Sequence, residues 1–361
     1  MKKNKNIIII GPFPAPISGV SLANKVVKNI LDNSSEFNTS VINTSYPVFQ
    51  DKVGSFSFKK ILFFLKINLK VVKIIKNDII YITPGQTFYG IVKYALFILL
   101  ASMLKKELII HVHGNYLHTQ YNKLKGFKKN IFYFFISKFT KGIVLSKSLK
   151  QNLTPFLHED KIFVLHNFAE EYLYKESIKP RSKKLKIVYL SNLMEEKGIL
   201  YLLEALKKLE ENKILYTAKI AGNIDISLQH NILRKINKLE NTSYLGLVYK
   251  DEKKDLLNWS NIFVLPTFYK MEGQPISILE ALATNNVIIT TKQAGIPDII
   301  KNNINGFLVE QKNANSIFKA FLFLHNNKSK ILEICKTNKT YFANNFTMQK
   351  FSTEIIRILS S

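Results

Sequence analysis

Two carboxylates spaced as E-x7-E carry the strongest chemical signal in the sequence. Glu272 and Glu280 flank a segment that contains Gly273 and Pro275. Pro275 suits the first turn of a helix, where its missing N–H leaves no hydrogen bond unmade, and Gly273 lets a ligand approach the backbone closely. Such a helix would direct unpaired N–H groups and a partial positive charge at a diphosphate. The two carboxylates would then bind hydroxyl pairs, one on a hexose and one on a ribose. Taken alone, the spacing more simply describes a helix-entry acid followed by a solvated helix residue.

The elements that would position these residues are visible as alternating strand-length and helix-length segments. The strand-like runs of the first half are Ile7–Ile10, Val41–Asn43, Ile79–Ile82, Leu108–Val112, Gly142–Leu145 and Phe163–Leu165. Those of the second half are Lys186–Leu190, Tyr216–Ala221, Ser243–Leu245, Ile262–Leu265, Val287–Thr290 and Phe307–Val309. This alternation predicts parallel strands joined by crossover helices, and hence an α/β fold.

The alternation also divides the chain into parts. We predict that residues 1–174 and 175–345 each form a Rossmann-like domain. Residues 175–186 would connect them, and residues 346–361 would form a helix that crosses back onto the first domain. With 361 residues, the chain is too long for one ordinary core, which agrees with two domains.

Composition limits the partners and the compartment. The net charge is +26, and nearly all of the 52 basic residues are lysines, which suits nucleic acid, an anionic membrane face or phosphate-bearing substrates. The one cysteine, Cys335, excludes an intramolecular disulfide and fits a reducing compartment. The longest apolar stretch, Tyr94–Leu104, is too short to span a bilayer. We therefore expect a protein that is not integral to the membrane.

Five pieces of sequence occur in a characteristic order between residues 263 and 309. They are Phe263–Pro266, Glu272–Ala281, Val287–Thr290, Ala294–Asp298 and Asn305–Val309. Together they resemble the retaining glycosyltransferases of family 4, whose GT-B fold has two facing Rossmann-like domains with an inter-domain cleft. Weaker matches extend the resemblance over most of the chain: Gly11–Gly19, His111–Gly114, Leu145–Ser146, His166–Asn167, Tyr189–Leu193, Glu196–Gly198, Ile220–Gly222 and Leu245–Val248.

The resemblance implies roles for individual residues. Glu280 would bind the donor ribose, and Glu272 the transferred sugar. Lys197 would neutralise the departing diphosphate, and His113 would lie near the reacting sugar. The implied catalytic residues are His113, Lys197 and Glu272, and the implied donor-binding residues are Gly19, Asn192, Lys197, Gly222, Val248, Glu272, Gly273, Gln274 and Glu280. His111 is assigned to the opposite side of its strand from His113, on strand alternation, and to a structural role.

Asn192 departs from the family pattern. Many members carry an arginine at this position, which gives the diphosphate a second positive charge. Asparagine has no charge, so Lys197 and the helix amides would carry more of the stabilisation, or Lys292 would assist. No D-x-D motif occurs in the sequence, so we expect no bound metal. We also expect no cofactor, since the nucleotide sugar is a substrate.

These features predict a hexosyltransferase that uses a nucleoside-diphosphate sugar, by prior frequency a UDP-sugar. The expected acceptor is a sugar hydroxyl of a glycan or of a polyprenyl-diphosphate-linked oligosaccharide in bacterial surface-polysaccharide synthesis, such as O-antigen or capsule. We expect a cytoplasmic location, with or without peripheral attachment to the inner face of the membrane. The alternatives are a nucleotide-sugar epimerase of related fold, a basic nucleic-acid-binding protein and a noncatalytic membrane scaffold. Specific nucleic-acid binding is not expected, because arginines are few and no recognition motif occurs.

Two lysine-rich segments leave two structural interpretations open. In a helix over residues 58–77, one side would carry Lys59, Lys66, Lys70 and Lys73, and the other would carry Ile61, Leu62, Leu65, Leu69 and Val72. Residues 127–138 similarly mix lysine with aromatic side chains. Such helices either pack their apolar side on the sheet or lie on anionic lipid.

Overall fold

The computed structural model describes residues 4–15, 17–46, 58–174 and 184–361. They group into two units. The first comprises Met1–His166, Met271–Gln274 and Phe351–Ser361, and the second comprises Asn167–Lys270 and Pro275–Lys350. Most of the predicted connection, residues 175–183, lies outside the described residues.

The first unit is built on a six-stranded parallel sheet. Its strands are β1 (Lys5–Gly11), β2 (Phe37–Asn43), β3 (Ile79–Ile82), β4 (Glu107–Val112), β5 (Lys141–Val144) and β6 (Ile162–Val164), in the order β2-β1-β3-β4-β5-β6. Its helices are α1 (Gly19–Asp32), α2 (Phe58–Asn68), α3 (Phe88–Val92), α4 (Ala95–Met103), α5 (Leu117–Lys123) and α6 (Gly126–Ile136). Ile7–Ile10 in β1 are fully buried, as expected for a parallel strand covered on both faces.

The second unit repeats this architecture with another strand order. Its strands are β7 (Leu185–Leu190), β8 (Tyr216–Ala221), β9 (Thr242–Tyr244), β10 (Ile262–Leu265), β11 (Val287–Thr291) and β12 (Gly306–Val309), in the order β12-β11-β10-β7-β8-β9. Its helices are α7 (Ile199–Glu211), α8 (Gln229–Ile236), α9 (Lys250–Trp259), α10 (Ile276–Ala283), α11 (Ile296–Ile299), α12 (Ala314–Asn326) and α13 (Lys328–Asn345). The two sheets confirm the predicted α/β class with two Rossmann-like domains.

The last helix, α14 (Met348–Ser360), ends in the first unit. From Phe351 onward its residues belong to that unit, where the Lys141 ammonium donates to the Ile358 carbonyl at 3.2 Å. The side chains of Phe351, Ile355 and Ile358 are buried. The predicted return of the C-terminal helix to the first domain is therefore confirmed.

The start of the second unit lies earlier than the predicted boundary at 174/175. Ala169 and Leu173 are fully buried in the hydrophobic core of the second unit, and the Ala169 N–H donates to the Phe346 carbonyl at 3.4 Å. Because these two apolar side chains lie in that core, residues 167–174 belong to the second unit. This assignment is not visible in the sequence, because the segment is too short to show a period.

The lysine-rich segment 58–77 differs from its predicted amphipathic helix. It is an α-helix only to Asn68 and continues as a 3-10 helix over Leu69–Lys76. Ile67 in the α-helical part and Ile74 in the 3-10 part are the buried apolar residues of the segment. Leu62, Leu65, Leu69 and Val72, which were expected to face away from the lysines, are exposed. The interpretation in which this apolar row packs on the sheet is therefore wrong. The side chain of Lys59 is not among the side chains that the structure describes.

Membrane-spanning helices and clusters of metal-ligating side chains are both absent from the described residues. Across these ranges no helix combines the length and the apolar character that crossing a bilayer requires. The same part of the chain holds no group of three or more histidine, cysteine, aspartate or glutamate side chains arranged to hold a metal ion.

Candidate active site

The strand order of the second unit creates a switch point between β10 and β7. From β7 the chain continues to β8 on one side of this point, and from β10 it continues to β11 on the other side. Ligands of such folds bind at the carboxyl ends of the strands beside the switch point. Lys197 follows β7, and residues 266–270 follow β10. The fold therefore brings two of the sequence-predicted segments to one edge of one sheet.

Backbone contacts hold the Lys197 loop against the loop after β10. The Glu196 carbonyl accepts from the Phe268 N–H at 2.8 Å and from the Thr267 hydroxyl at 3.2 Å. Gly198 has φ +81°, and a Cβ atom added there would lie 2.2 Å from the Pro266 carbonyl oxygen. Only glycine fits this position. The Lys197 ammonium lies 5.1 Å from the centroid of the Tyr269 ring, a cation–π distance.

Asn192 and Gly222 lie in loops that touch each other at the same sheet edge. A Cβ atom added at Gly222, whose φ is +140°, would lie 1.8 Å from the carbonyl oxygen of Ser191. The Gly222 N–H donates to the Gly246 carbonyl at 2.8 Å. Gly222 thus allows the loops after β7, β8 and β9 to pack closely. Asn192 is exposed, and Val248 is half-buried against the core.

Helix α10 carries Glu280 and begins one residue later than predicted. Pro275 is the N-cap residue with φ −62° and ψ 120°, and the first helical residue is Ile276. Pro275 therefore sets the direction of entry instead of occupying the first turn. Glu280 is 4% exposed, so it is not the solvated helix residue that the spacing alone suggests.

Lys253, a residue that carries no predicted role, is the largely buried partner of Glu280. Its ammonium nitrogen lies 2.5 Å from Glu280 Oε1 and 4.0 Å from Glu170 Oε2. Burial alone would lower the pKa of Lys253, but the Glu280 carboxylate raises it above its ordinary value. The Lys253 ammonium is therefore charged at neutral pH. A signal existed in the sequence, since Lys253 precedes the apolar Leu256 and Leu257 by three and four positions and so shares their face of α9.

The remaining predicted residues before Pro275 belong to the first unit. Glu272 and Gln274 are 7% and 3% exposed. The Gln274 amide nitrogen lies 2.8 Å from His166 Nδ1, a contact that the sequence did not predict. A Cβ atom added at Gly273 would lie 2.4 Å from the His113 carbonyl oxygen. The requirement for glycine at 273 therefore comes from the strand end that carries His113.

His111 lies on the same side of its strand as His113, which corrects the prediction. The centroids of the two imidazole rings are 3.9 Å apart. Residues two positions apart in a strand face the same side, so strand alternation itself places His111 and His113 on one side. Burial lowers the pKa of His113 to about 3, so its ring is uncharged at neutral pH.

Gly19 is the first residue of α1 and is exposed. Ser18 caps this helix, because its hydroxyl accepts from the Ser21 N–H at 3.1 Å. The first unit thus contains Gly19, His113, Glu272, Gly273 and Gln274, and the second contains Asn192, Lys197, Gly222, Val248 and Glu280. The roles assigned to these ten residues remain predictions.

The family of the second unit follows from comparison with known proteins. Residues 172–341 match the model of the family described as Glycosyl transferases group 1. This segment is therefore similar to the group 1 glycosyltransferase domains. The domain contains Lys197, Lys253 and Glu280, so the site assembled at the β7–β10 switch point lies within the family match.

Relatives of the group 1 domain include two bacterial enzymes. The amylovoran biosynthesis glycosyltransferase AmsK of Erwinia amylovora is 26% identical over 155 residues, which cover 42% of this chain and 38% of AmsK. The Escherichia coli UDP-Gal:alpha-D-GlcNAc-diphosphoundecaprenol alpha-1,3-galactosyltransferase is 27% identical over 205 residues, which cover 53% of this chain and 51% of that enzyme. The chain spans about half the length or less of these curated relatives.

A solved structure extends the similarity beyond the group 1 domain. Alr3699/HepE of Anabaena, in complex with UDP and glucose, has a TM-score of 0.74 and 14% identity, and the match covers 99% of this chain and all of HepE. At this identity the likeness concerns the fold alone. It agrees with the predicted GT-B class of two Rossmann-like domains.

Proposed function

We propose that this protein transfers a hexosyl unit from a nucleoside-diphosphate sugar, a UDP-sugar, to a sugar hydroxyl, with retention at the anomeric carbon. The observation that carries the proposal is the state of Glu280. Its carboxylate is buried on α10, is held 2.5 Å from the Lys253 ammonium and lies inside the segment that matches the group 1 family. A fixed, charged carboxylate is suited to accept hydrogen bonds from the two hydroxyls of a ribose.

The remaining residues then act on the diphosphate and the sugar. The bond between the anomeric carbon and the phosphate oxygen breaks, and negative charge accumulates on the departing diphosphate. Lys197, Asn192 and the amides at the start of α10 stabilise that charge. The acceptor oxygen bonds to the anomeric carbon, and its proton passes to the departing phosphate. No protein base is assigned.

Other predicted residues bind the donor in this proposal. Glu272, Gly273 and Gln274 bind the transferred sugar, and His113 lies beside its reacting carbon. Gly19 and Gly222 let the diphosphate and the nucleoside approach the backbone, and the Val248 backbone lies against the base. Metal and cofactor have no role in the proposed reaction.

For the acceptor, we propose a glycan or a polyprenyl-diphosphate-linked oligosaccharide of bacterial surface-polysaccharide synthesis, such as O-antigen or capsule. The support is the chemistry of the relatives. One acts in amylovoran biosynthesis, and the name of the other specifies a sugar on a diphosphoundecaprenol carrier.

Incubation of purified protein with UDP-hexoses and a GlcNAc-diphosphate-polyprenol analogue is expected to yield a product one hexose larger, with the anomeric configuration of the donor. Mass spectrometry and NMR of the product check the mass and the linkage. Omission of the acceptor is the control, and an epimerase would instead release an isomeric nucleotide sugar there. Product formed only without acceptor, or with inverted configuration, would contradict the proposal.

We also propose a cytoplasmic protein that attaches to the anionic inner face of the membrane through its first unit. Residues 58–141 contain fifteen lysines and no arginine, against Asp78 and Glu107, so this segment has a net charge of +13, half of the total of +26. The 3-10 helix 69–76 and helices α4 and α6 each carry one large hydrophobic residue that is 78% exposed: Leu69, Met103 and Phe127. Helix α4 packs against the other two elements.

Exposed apolar side chains among lysines suit an anionic bilayer surface. Each lysine near such a surface contributes on the order of 1 kcal/mol of attraction, and apolar side chains enter the interfacial region. An acceptor on a polyprenyl carrier would lie at the same surface. The lysines also fit a nucleic acid, but the exposed apolar side chains would gain nothing from that partner.

Replacing Lys66, Lys70 and Lys73 by glutamine is expected to weaken binding to vesicles that contain phosphatidylglycerol by at least about tenfold, because three attractions of that size are lost. Co-sedimentation with such vesicles and with neutral phosphatidylcholine vesicles measures the change. The matched control replaces Lys207, Lys235 and Lys238 of the second unit. Equal losses in both triple variants, or equal binding to both vesicles, would refute the proposed surface.

A further inference from the structure

Two fully buried side chains and the half-buried His113 form a row next to the carboxyl end of β4. Tyr81 on β3 and His111 on β4 are both 0% exposed. The Tyr81 hydroxyl is hydrogen-bonded to His111 Nδ1, and the His111 ring lies against the His113 ring with centroids 3.9 Å apart and planes inclined by 38°. A fixed sequence of contacts thus joins the Tyr81 hydroxyl to His113.

The two possible directions of the hydrogen bond between Tyr81 and His111 leave different numbers of buried groups unpaired. The structure gives the Tyr81 hydroxyl no second partner among the described residues, and His111 Nε2 has none either. If His111 donated, both the tyrosine proton and the Nε2 lone pair would be buried without partners, whereas donation by Tyr81 leaves only the Nε2–H unpaired, which is less unfavourable. Tyr81 therefore donates to Nδ1, and the His111 proton lies on Nε2.

Burial keeps this row uncharged. It raises the pKa of Tyr81, so the hydroxyl retains its proton. Burial and the neighbouring His113 lower the pKa of His111 well below its ordinary value. No charge repulsion therefore separates the two imidazole rings at neutral pH, and their close contact is compatible with their protonation states.

The Nε2 atoms of His111 and His113 are both buried, and within the described part of the chain neither has a hydrogen-bond partner. Buried polar atoms without partners are rare, and each calls for a specific reason. The His113 backbone is also fixed, because its carbonyl packs against Gly273. The two rings thus hold unpaired polar atoms at the strand end that contacts the Glu272–Gln274 segment.

We propose that Tyr81 and His111 are positioning residues for His113: the tyrosine fixes the tautomer and the orientation of His111, and the His111 ring fixes the plane of the His113 ring. The inference rests on the proposed transferase function, in which His113 lies beside the reacting sugar. It gives a role in the reaction to two side chains that would otherwise be ordinary core residues.

Tyr81→Phe tests the inference because it removes the hydroxyl and keeps the ring. We expect kcat to fall about tenfold, the effect of one lost hydrogen bond on an anchoring group, with the donor KM within about twofold of its original value. The matched control is Tyr94→Phe, which removes the bond between another buried tyrosine of the same unit and Thr44 Oγ1 at 3.0 Å. Its kcat should stay within about twofold. Equal kcat values in the two variants would overturn the inference.

Two substitutions of His111 provide a rescue test. Asparagine places a polar atom near the position of Nδ1 and can still accept from Tyr81, whereas leucine cannot. We expect His111→Asn to retain several-fold more kcat than His111→Leu. Equal losses would show that only the volume of the side chain matters, and would also overturn the inference.

A readout without turnover separates this inference from the proposed function. In histidine-labelled wild-type protein, ¹⁵N NMR should show His111 with an unprotonated Nδ1 and a protonated Nε2, assigned by its loss in His111→Asn. A protonated Nδ1 would overturn the anchoring role of Tyr81 whatever the activity. Absence of transfer in the wild type would overturn the proposed function, and the positioning role with it, while the tautomer assignment would stand.

Discussion

Glu280→Gln is expected to lower the affinity for UDP by about 10- to 100-fold and to destabilise the second unit. The affinity falls because a charged acceptor of the ribose hydroxyls becomes a neutral amide. Hydrogen bonds to charged groups contribute about 1.5–3 kcal/mol, and about 1.4 kcal/mol corresponds to tenfold in affinity. The unit is destabilised because the buried Lys253 ammonium loses its partner, which costs about 3–5 kcal/mol. Calorimetric titration with UDP and urea unfolding measure the two effects.

A second substitution separates binding from folding. Glu280→Gln combined with Lys253→Met replaces the buried ion pair by two uncharged side chains, which proteins often tolerate without loss of stability. We expect the double variant to recover most of the free energy of unfolding and to keep the low affinity for UDP. Wild-type affinity in the double variant would contradict the ribose-binding role. A double variant as unstable as Glu280→Gln would contradict the ion pair as the cause of the instability.

Lys197→Ala is expected to lower kcat by about 10²- to 10³-fold, the effect typical of removing one group directed at developing charge. The loss should lie at the upper end of this range, because Asn192 supplies no second charge to the diphosphate. The donor KM should change far less than kcat, since charge on the diphosphate grows as the bond breaks. Steady-state kinetics with a saturating acceptor separate the two constants.

Lys238→Ala provides the control for this variant. Lys238 is an exposed lysine of the same unit and has no role in the proposed reaction, so its replacement should leave both constants within about twofold of their original values. Lys292→Ala, at the end of β11, tests the alternative cation. If Lys197→Ala kept most of kcat while Lys292→Ala lost it, the charge on the departing diphosphate would have been assigned to the wrong lysine.

Local patterns predicted most of the secondary structure. The strands Ile79–Ile82, Tyr216–Ala221 and Ile262–Leu265 have their predicted bounds. Ile79–Ile82 and Ile262–Leu265 are short apolar runs buried on both faces, whereas Tyr216–Ala221 alternates buried and half-buried residues in its first four positions. All three are followed by polar or turn-forming residues, so their ends are visible in the sequence. The prediction for segment 58–77 is wrong in its second half. Its apolar and basic residues fit a regular α-helix, but the chain changes to a 3-10 helix at Leu69. A period read at 3.6 residues per turn cannot show that change.

The candidate site was only partly visible in the sequence. The E-x7-E spacing and the glycine and proline between the two glutamates indicated a ligand-binding helix entry. The sequence did not show that Lys253, 27 positions away, pairs with Glu280, or that Gln274 contacts His166, 108 positions away. It also did not show that the need for glycine at 273 comes from the His113 carbonyl.

The sequence by itself determined the order of strands and helices along the chain and the residue types able to act on a diphosphate and a sugar. The tertiary structure decided which of these residues meet. Backbone hydrogen bonding and the alternation of buried side chains act over a few neighbouring residues, so they leave a local record in the sequence. The partner of a side chain instead depends on which strands become neighbours. In the second unit β10 pairs with β7, and this pairing, made by the folding of the whole sheet, places the Lys197 loop against residues far along the chain.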